Sequence, residues 1–269
     1  MSHRRLLTVA ILFPAALAAQ GSPPREAPNA VMIQFERFAD IFGSRLVAAF
    51  DSIPAARYDY RPTMAQQTVG YIAQHLEQAN YGLCVRFGNA RYRMAAKDSL
   101  ADTVKATWPK DTLVARLRTS LRFCDTALEQ LGQLDSPELA NNLLAFETDL
   151  AEHYSQLSSY MRLMGLVPPS ALPPVQRTAI ELPVAALSAF TGTYRVANGL
   201  DLVVTMQNGA LMARSTNGGA LVRLWPASAS DFFIREVDAQ LTFTRDERGA
   251  VTRLVLHQFG RDRQATRIQ

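Results

Sequence analysis

From Asn29 the chain repeats apolar residues at intervals of three and four, at Val31, Phe35, Phe38, Phe42, Leu46 and Phe50. That period predicts a helix with one buried face, ending at Pro54. A loop closed by Arg61-Pro62 follows. Thr63 with Gln66 three positions later has the pattern of a helix start, so a second helix is predicted to reach about Phe87. A third fits Lys110 to Leu131, with Leu113, Leu117, Leu121 and Leu128 on its inner side. Ser136 as cap and Pro137 in the first turn open a fourth, which runs to about Met164 and is stopped by Gly165. Four long helices with one longer connection, between the second and third, predict a helical bundle over residues 29–167.

The period then breaks. Residues 168–186 are rich in proline and have no helical repeat, which predicts a semi-rigid linker. Beyond it the apolar period drops to two, in about eight short segments such as "LDLVVTM", "DFFIRE" and "TRLVLHQ". Turn signals separate them at Asn198-Gly199, Asn208-Gly209, Asn217-Gly218-Gly219 and Arg248-Gly249. So many short strands in residues 187–269 predict a small antiparallel barrel, a closed form that leaves no sheet edge open. The expected fold class is therefore α+β and multidomain: a four-helix bundle, then a β-barrel.

Composition changes this picture in two places. At 269 residues, with 48% apolar and 19% charged residues, the chain is long enough for two ordinary cores. The 28 basic residues outnumber the 24 acidic ones, but the two kinds are interspersed. No run is basic enough for a nucleic-acid footprint. The start, "MSHRRLLTVAILFPAALAAQ", has a short basic segment, an apolar run from Leu6 to Leu17 and small residues at Ala16, Ala18 and Ala19. This reads as a cleaved export signal over residues 1–20. The run is too short for a spanning helix and is broken by Pro14, so no stable membrane anchor is expected.

An exported protein meets an oxidising compartment, where Cys84 and Cys124, the two cysteines, can persist as a disulfide between helices. Two separate buried thiols are the alternative. Cys84 stands nine residues from His75, about half a revolution around a helix, and so faces away from it.

Candidate chemistry gathers on the fourth helix. Asp149 and His153 are four residues apart and share a face, which Gln156 and Tyr160 continue. A carboxylate and an imidazole on one helix, with a histidine from a facing helix, are ligand types that zinc, nickel or iron(II) accept. An acid and a histidine at this spacing also serve as an ordinary polar stripe. His257, on a late strand, is not expected to be a ligand. No Ser-x-x-Lys or Gly-x-Ser-x-Gly nucleophile motif is present.

"YDYRPTMAQQTVGYIAQHLEQANYGLC" and, some seventy residues on, "DLAEHYSQLSSYMRLMGLVPP" resemble the DinB-like (DinB/YfiT) superfamily of four-helix proteins. The shared elements are a Tyr-x-x-Arg-Pro loop, a helix reading Thr-Val-x-x-Ile-x-x-His, and a last helix with His-Tyr-x-Gln-Leu-x-x-Tyr-x-Arg ending in Gly-x-x-Pro-Pro. The resemblance covers about residues 31–169. It implies a divalent metal (Zn, Ni, Mn or Fe) held by His75 and His153, with Asp149 where relatives carry a further histidine. It also implies a metal-dependent hydrolase or transferase acting on a small molecule, and allows a homodimer through the bundle. The alternative is a non-catalytic module that binds a small molecule or protein, its metal site degenerate. Residues 187–269 are similar to the lipocalin-like β-domains appended to exported serine hydrolases of the β-lactamase type. That similarity implies structural roles: Gly192 and Tyr194 begin the barrel, and Trp225 and Phe243 fill it.

Overall fold

The computed structural model describes residues 30–95, 98–173, 175–196, 201–216 and 219–269. The export signal and the Asn198-Gly199 and Asn217-Gly218 turns lie outside them. Among the described residues no helix is long and apolar enough to cross a membrane.

Four long helices carry the first half: α1 (Ala30–Ser52), α2 (Val69–Cys84), α4 (Lys110–Glu129) and α5 (Pro137–Leu163), with the one-turn α3 (Asp102–Lys105) before α4. They share one core that includes Leu46, Phe50, Ile72, Leu76, Leu117, Phe146 and Leu157. The inner face of α1 is in the main the expected one, with Leu46 and Phe50 buried and Phe35 and Phe42 packed against the core, but two positions differ. Val31 and Phe38 are 50% and 48% exposed, while Met32, Ala39, Leu46, Ala49 and Phe50 are buried. Met32 and Ala39 take the inner positions expected of Val31 and Phe38. On α4 the four predicted leucines are all buried.

The start of α2 also departs from expectation. Its cap is Thr68, whose Oγ1 accepts the Tyr71 amide at 3.1 Å. Thr63 and Gln66 instead close a separate turn, with the Gln66 amide donating to the Thr63 carbonyl. The helix starts later because the Tyr-x-x-Arg-Pro loop supplies acceptors for its first amides. Val69 N donates to Tyr60 O, and Gly70 N to Tyr58 O at 2.8 Å. Gly70 has no substitute here, because an added Cβ would lie 2.2 Å from the Ala106 carbonyl oxygen. At the other end α2 stops at Cys84 and tightens into a 3₁₀ turn to Phe87. Cys84 is bonded to Cys124 on α4, so the expected disulfide is present. On α5 both ends match: Ser136 Oγ accepts the Leu139 amide, and Gly165 adopts a left-handed φ of 76° just past the helix.

Strands β1 (Gly192–Val196), β2 (Asp201–Gln207), β3 (Ala210–Ser215), β4 (Val222–Pro226), β5 (Asp231–Ile234), β6 (Ala239–Arg245), β7 (Val251–Gln258) and β8 (Arg261–Arg267) form a closed antiparallel barrel, each beside the next and β8 beside β1. Its interior is filled by Phe190, Tyr194, Phe232, Phe243 and aliphatic side chains, with ring centroids 4.9–5.5 Å apart. Trp225 does not belong to this set. It lies on the outer face, with the guanidinium groups of Arg223 and Arg235 each 3.7 Å from its ring centroid. Strand alternation explains the correction, since its neighbours Leu224 and Pro226 take the inward positions.

The segment read as a linker is partly built into the barrel. Ile180 N donates to Pro226 O, Arg177 pairs with Asp238 at 2.9 Å, and a short helix α6 (Val184–Ser188) places Leu187 in the barrel core. Prolines masked this local packing, because proline suits a helix start as well as a spacer. His257 sits in a cross-strand chain. Its Nδ1 is 2.6 Å from Asp262 Oδ1 and its Nε2 is 3.0 Å from Thr242 Oγ1, which donates to Asp231. The hydroxyls of Ser228 and Thr242 hold Asp231 below the usual carboxylate range. This chain of bonds ties β5 to β8.

The β7–β8 hairpin turns through Phe259 and Gly260, with φ of 54° and 71°, and carries the barrel onto the helices. Arg261 Nε contacts Asp40 Oδ1 of α1 at 2.8 Å and also pairs with Asp125 of α4, while Arg263 pairs with Asp40.

Candidate metal centre

Helix geometry places His75 on α2 opposite Asp149 and His153 on α5. Asp149 and His153 are one turn apart on one face, so one carboxylate can reach both imidazoles. Asp149 Oδ1 is 3.9 Å from His75 Nε2 and 3.6 Å from His153 Nε2. The two rings meet edge-on with centroids 4.8 Å apart. One ligand atom from each residue lies within 4.8 Å of the other two, the one such group of His, Cys, Asp or Glu among the described residues. All three predicted ligands therefore come together. Cys84 does not join them and is held in the disulfide.

The surroundings grade from open to closed. Side-chain exposure falls from 37% at His75 through 21% at Asp149 to 12% at His153. The Asp149 carboxylate facing the ring raises the His75 pKa above the ordinary histidine value, against the opposing effect of burial. Its second oxygen, Oδ2, is buried with no hydrogen-bond partner. A buried carboxylate oxygen without a donor is costly. A cation between the three side chains would remove that cost.

The donor set suits a divalent ion. Two imidazole nitrogens and a carboxylate fit zinc, nickel, manganese or iron(II). Ligands ~2.1 Å from a tetrahedral centre stand roughly 3.4 Å from one another, so the carboxylate's 3.6 and 3.9 Å to the imidazoles need close by a few tenths of an ångström, and the two imidazole nitrogens, within 4.8 Å, by up to about 1.4 Å. Three ligands leave coordination positions open, the mark of a site that can also take a substrate or water.

Supporting residues surround the ligands. His153 Nδ1 is 3.1 Å from Gln156 Oε1, Gln156 Nε2 donates to Tyr160 Oη at 3.1 Å, and Tyr160 donates to the Gln67 carbonyl at 3.2 Å. Tyr71 stacks on His75 with interplanar angle 9°. The stripe Gln156–Tyr160 is visible in sequence, and Tyr71 stands four residues before His75 on the same face of α2. The Gln67 carbonyl has no sequence signal, since any residue supplies one. A cavity of about 820 Å³ lies next to the centre and shares Gln67 and Tyr71 with its surroundings, with Arg61, Trp108 and Lys110 also on its wall. None of the three ligands lines it.

Glu77 and Glu152, which flank the histidines in sequence, stay out of the site. Glu77 makes a two-pronged bond to Arg116, at 2.9 and 2.7 Å, and Glu152 is exposed.

Residues 176–269 match the family model described as a domain of unknown function, DUF3471. This span begins where Arg177 and Ile180 attach to the barrel, so the matched unit includes the end of the supposed linker. No curated protein matches the chain. Among solved structures, one of SurE with D-Leu is 26% identical over 45% of this chain, with a TM-score of 0.30. The matched part spans 28% of that structure's chain, a likeness too slight to assign a fold or a role.

Proposed function

We propose that the chain is an exported, DinB-like metal-binding protein, in which α1, α2, α4 and α5 form the four-helix bundle and His75, Asp149 and His153 hold a divalent cation. The convergence of these three side chains from two helices carries the reading, and the buried, unpartnered Asp149 Oδ2 supports it. When bound, the ion supplies Lewis-acid charge to a small-molecule substrate in a hydrolysis or group transfer. The chain's own part is to fix the ligands. Asp149 places its carboxylate between the two imidazoles, Tyr71 supports the His75 ring, and Gln156 holds His153. The disulfide and the absence of a spanning helix among the described residues agree with export.

Elemental analysis of protein purified without a histidine tag tests this reading, with His153→Ala alongside. About one equivalent of metal in the wild type and little in the variant is expected. Equally little in both would end it. A second reading, a non-catalytic module for a small molecule, draws on the position of the large cavity beside rather than on the ligands. It predicts ligand binding that survives His153→Ala.

A further inference from the structure

The hydrogen bonds behind His153 have a fixed polarity. The Gln67 main-chain carbonyl can only accept, so the Tyr160 hydroxyl spends its proton there. Tyr160 Oη can then only accept from Gln156, which must present its NH₂ group to the tyrosine and its Oε1 to His153. An amide oxygen facing Nδ1 requires a proton on Nδ1. The His153 Nε2 lone pair is thereby left bare, on the side facing Asp149 and His75. Tyr160 is fully buried and its ring meets Tyr60 edge-on, so the relay starts from a rigid anchor.

We propose that Gln156 is a positioning residue that fixes His153 as the Nδ1–H tautomer and turns its Nε2 lone pair toward the ion, with its own orientation set by Tyr160 and the Gln67 carbonyl. The inference rests on the metal-centre reading for its ion, but not for the tautomer. A hydrogen-bond acceptor on the far nitrogen fixes ring orientation and raises ligand basicity, and its loss costs about 10–100-fold in metal affinity. The relay also couples the centre to the loop before α2, because Gln67 lines the large cavity. A substrate that shifts this loop would reach the metal ligand through three hydrogen bonds.

The test uses the whole chain with ¹⁵N-labelled histidine, first without metal at about pH 9, well above the ordinary histidine value of ~6.5. His153 is expected as Nδ1–H in the wild type. Gln156→Leu is expected to lose that form in favour of Nε2–H, Gln156→Glu to keep it because an acceptor remains, and Tyr160→Phe to fall between. Competition against a chelator, with zinc and with manganese, is then expected to show about 10–100-fold weaker binding in Gln156→Leu and near wild-type binding in Gln156→Glu. An unchanged tautomer in Gln156→Leu or Tyr160→Phe overturns the relay, as does wild-type affinity in Gln156→Leu. If the wild type binds no ion while the leucine variant still changes tautomer, the metal-centre reading falls and the control of His153 by Gln156 stands. Unfolding midpoints of each variant separate these outcomes from loss of the fold.

Discussion

Arg263 on β8 pairs with Asp40 on α1, 223 residues earlier in the chain, and that carboxylate also receives Arg261. Asp40 is 2% exposed in its side chain, and the two arginines 23%. Removing Asp40 would leave two guanidinium groups facing a void, with Asp125, the more distant Glu129 and the charge of Glu36 offsetting Arg261 in part. Breaking a buried pair from one side costs about 3 kcal/mol. The two tryptophans of the chain report the halves separately, since Trp108 packs against the helical core and Trp225 lies on the barrel. With Trp108→Phe and Trp225→Phe as backgrounds, urea unfolding followed by fluorescence should give coincident transitions for the native contact. Asp40→Ala should separate them. Superimposed curves in both would show that the ion pairs do not couple the halves.

Glu147 on α5 lies close to that junction. Burial, and then the charge of Asp40, push its pKa up to about 8, against the Ala39 amide, which favours the charged form. The ordinary value is 4.5, so between 4.5 and about 8 the folded state keeps a proton that the unfolded state has released. Stability should therefore fall as pH rises through this window and level off above it. Glu147→Gln should flatten the slope and gain about 2–4 kcal/mol near pH 8, read from urea midpoints across the window. Asp40→Ala should lower the Glu147 value, so the two substitutions should not add. A wild-type profile without slope would exclude a buried neutral Glu147.

Cys84 ends α2 and Cys124 lies within α4, a separation of 40 residues. Closing a loop of that length restricts the unfolded chain by ~4 kcal/mol. The segment it encloses includes α3 and Arg116, whose guanidinium makes a two-pronged bond back to Glu77 on α2. The double variant Cys84→Ser, Cys124→Ser should thus lose about 2–4 kcal/mol while His75, facing the other way on α2, keeps its metal affinity. Loss of metal binding at unchanged stability would show that the disulfide positions the site.

The sequence is most readable where local chemistry decides the structure alone. Ser136-Pro137 and Gly165 bracket α5 because a cap, a first-turn proline and a left-handed glycine act within a few residues. The convergence of His75, Asp149 and His153 was also legible, two members by their spacing on one helix and the third through resemblance. Contacts made by main chain were not. Thr68 caps α2 because the carbonyls of Tyr58 and Tyr60 already accept the next amides, and no side chain announces that. The Phe259-Gly260 turn has no Asn-Gly signal, yet both residues take positive φ and present Arg261 and Arg263 to Asp40. Trp225 looked like core because it is large and apolar, whereas strand alternation turned it outward against two arginines.

The decisive residue for the centre is Asp149. Its Oδ1 stands between two Nε2 atoms, and its Oδ2 is buried without a donor, so the position demands either positive charge or a ligand bond. Asp149→Ala removes one of three ligands and should abolish binding at micromolar zinc. Asp149→His should retain it, because an imidazole four residues before His153 projects from the same face. Exchanging a hard anionic oxygen for a neutral nitrogen should then shift preference from manganese toward zinc and nickel by at least about tenfold. In the metal-free protein the same exchange takes away the carboxylate that raises the His75 pKa, so His75 should titrate at lower pH, visible by NMR. An unchanged ratio of manganese to zinc affinity in Asp149→His would mean that the carboxylate never contacted the ion. An unmoved His75 titration would mean that Asp149 does not reach that ring in solution.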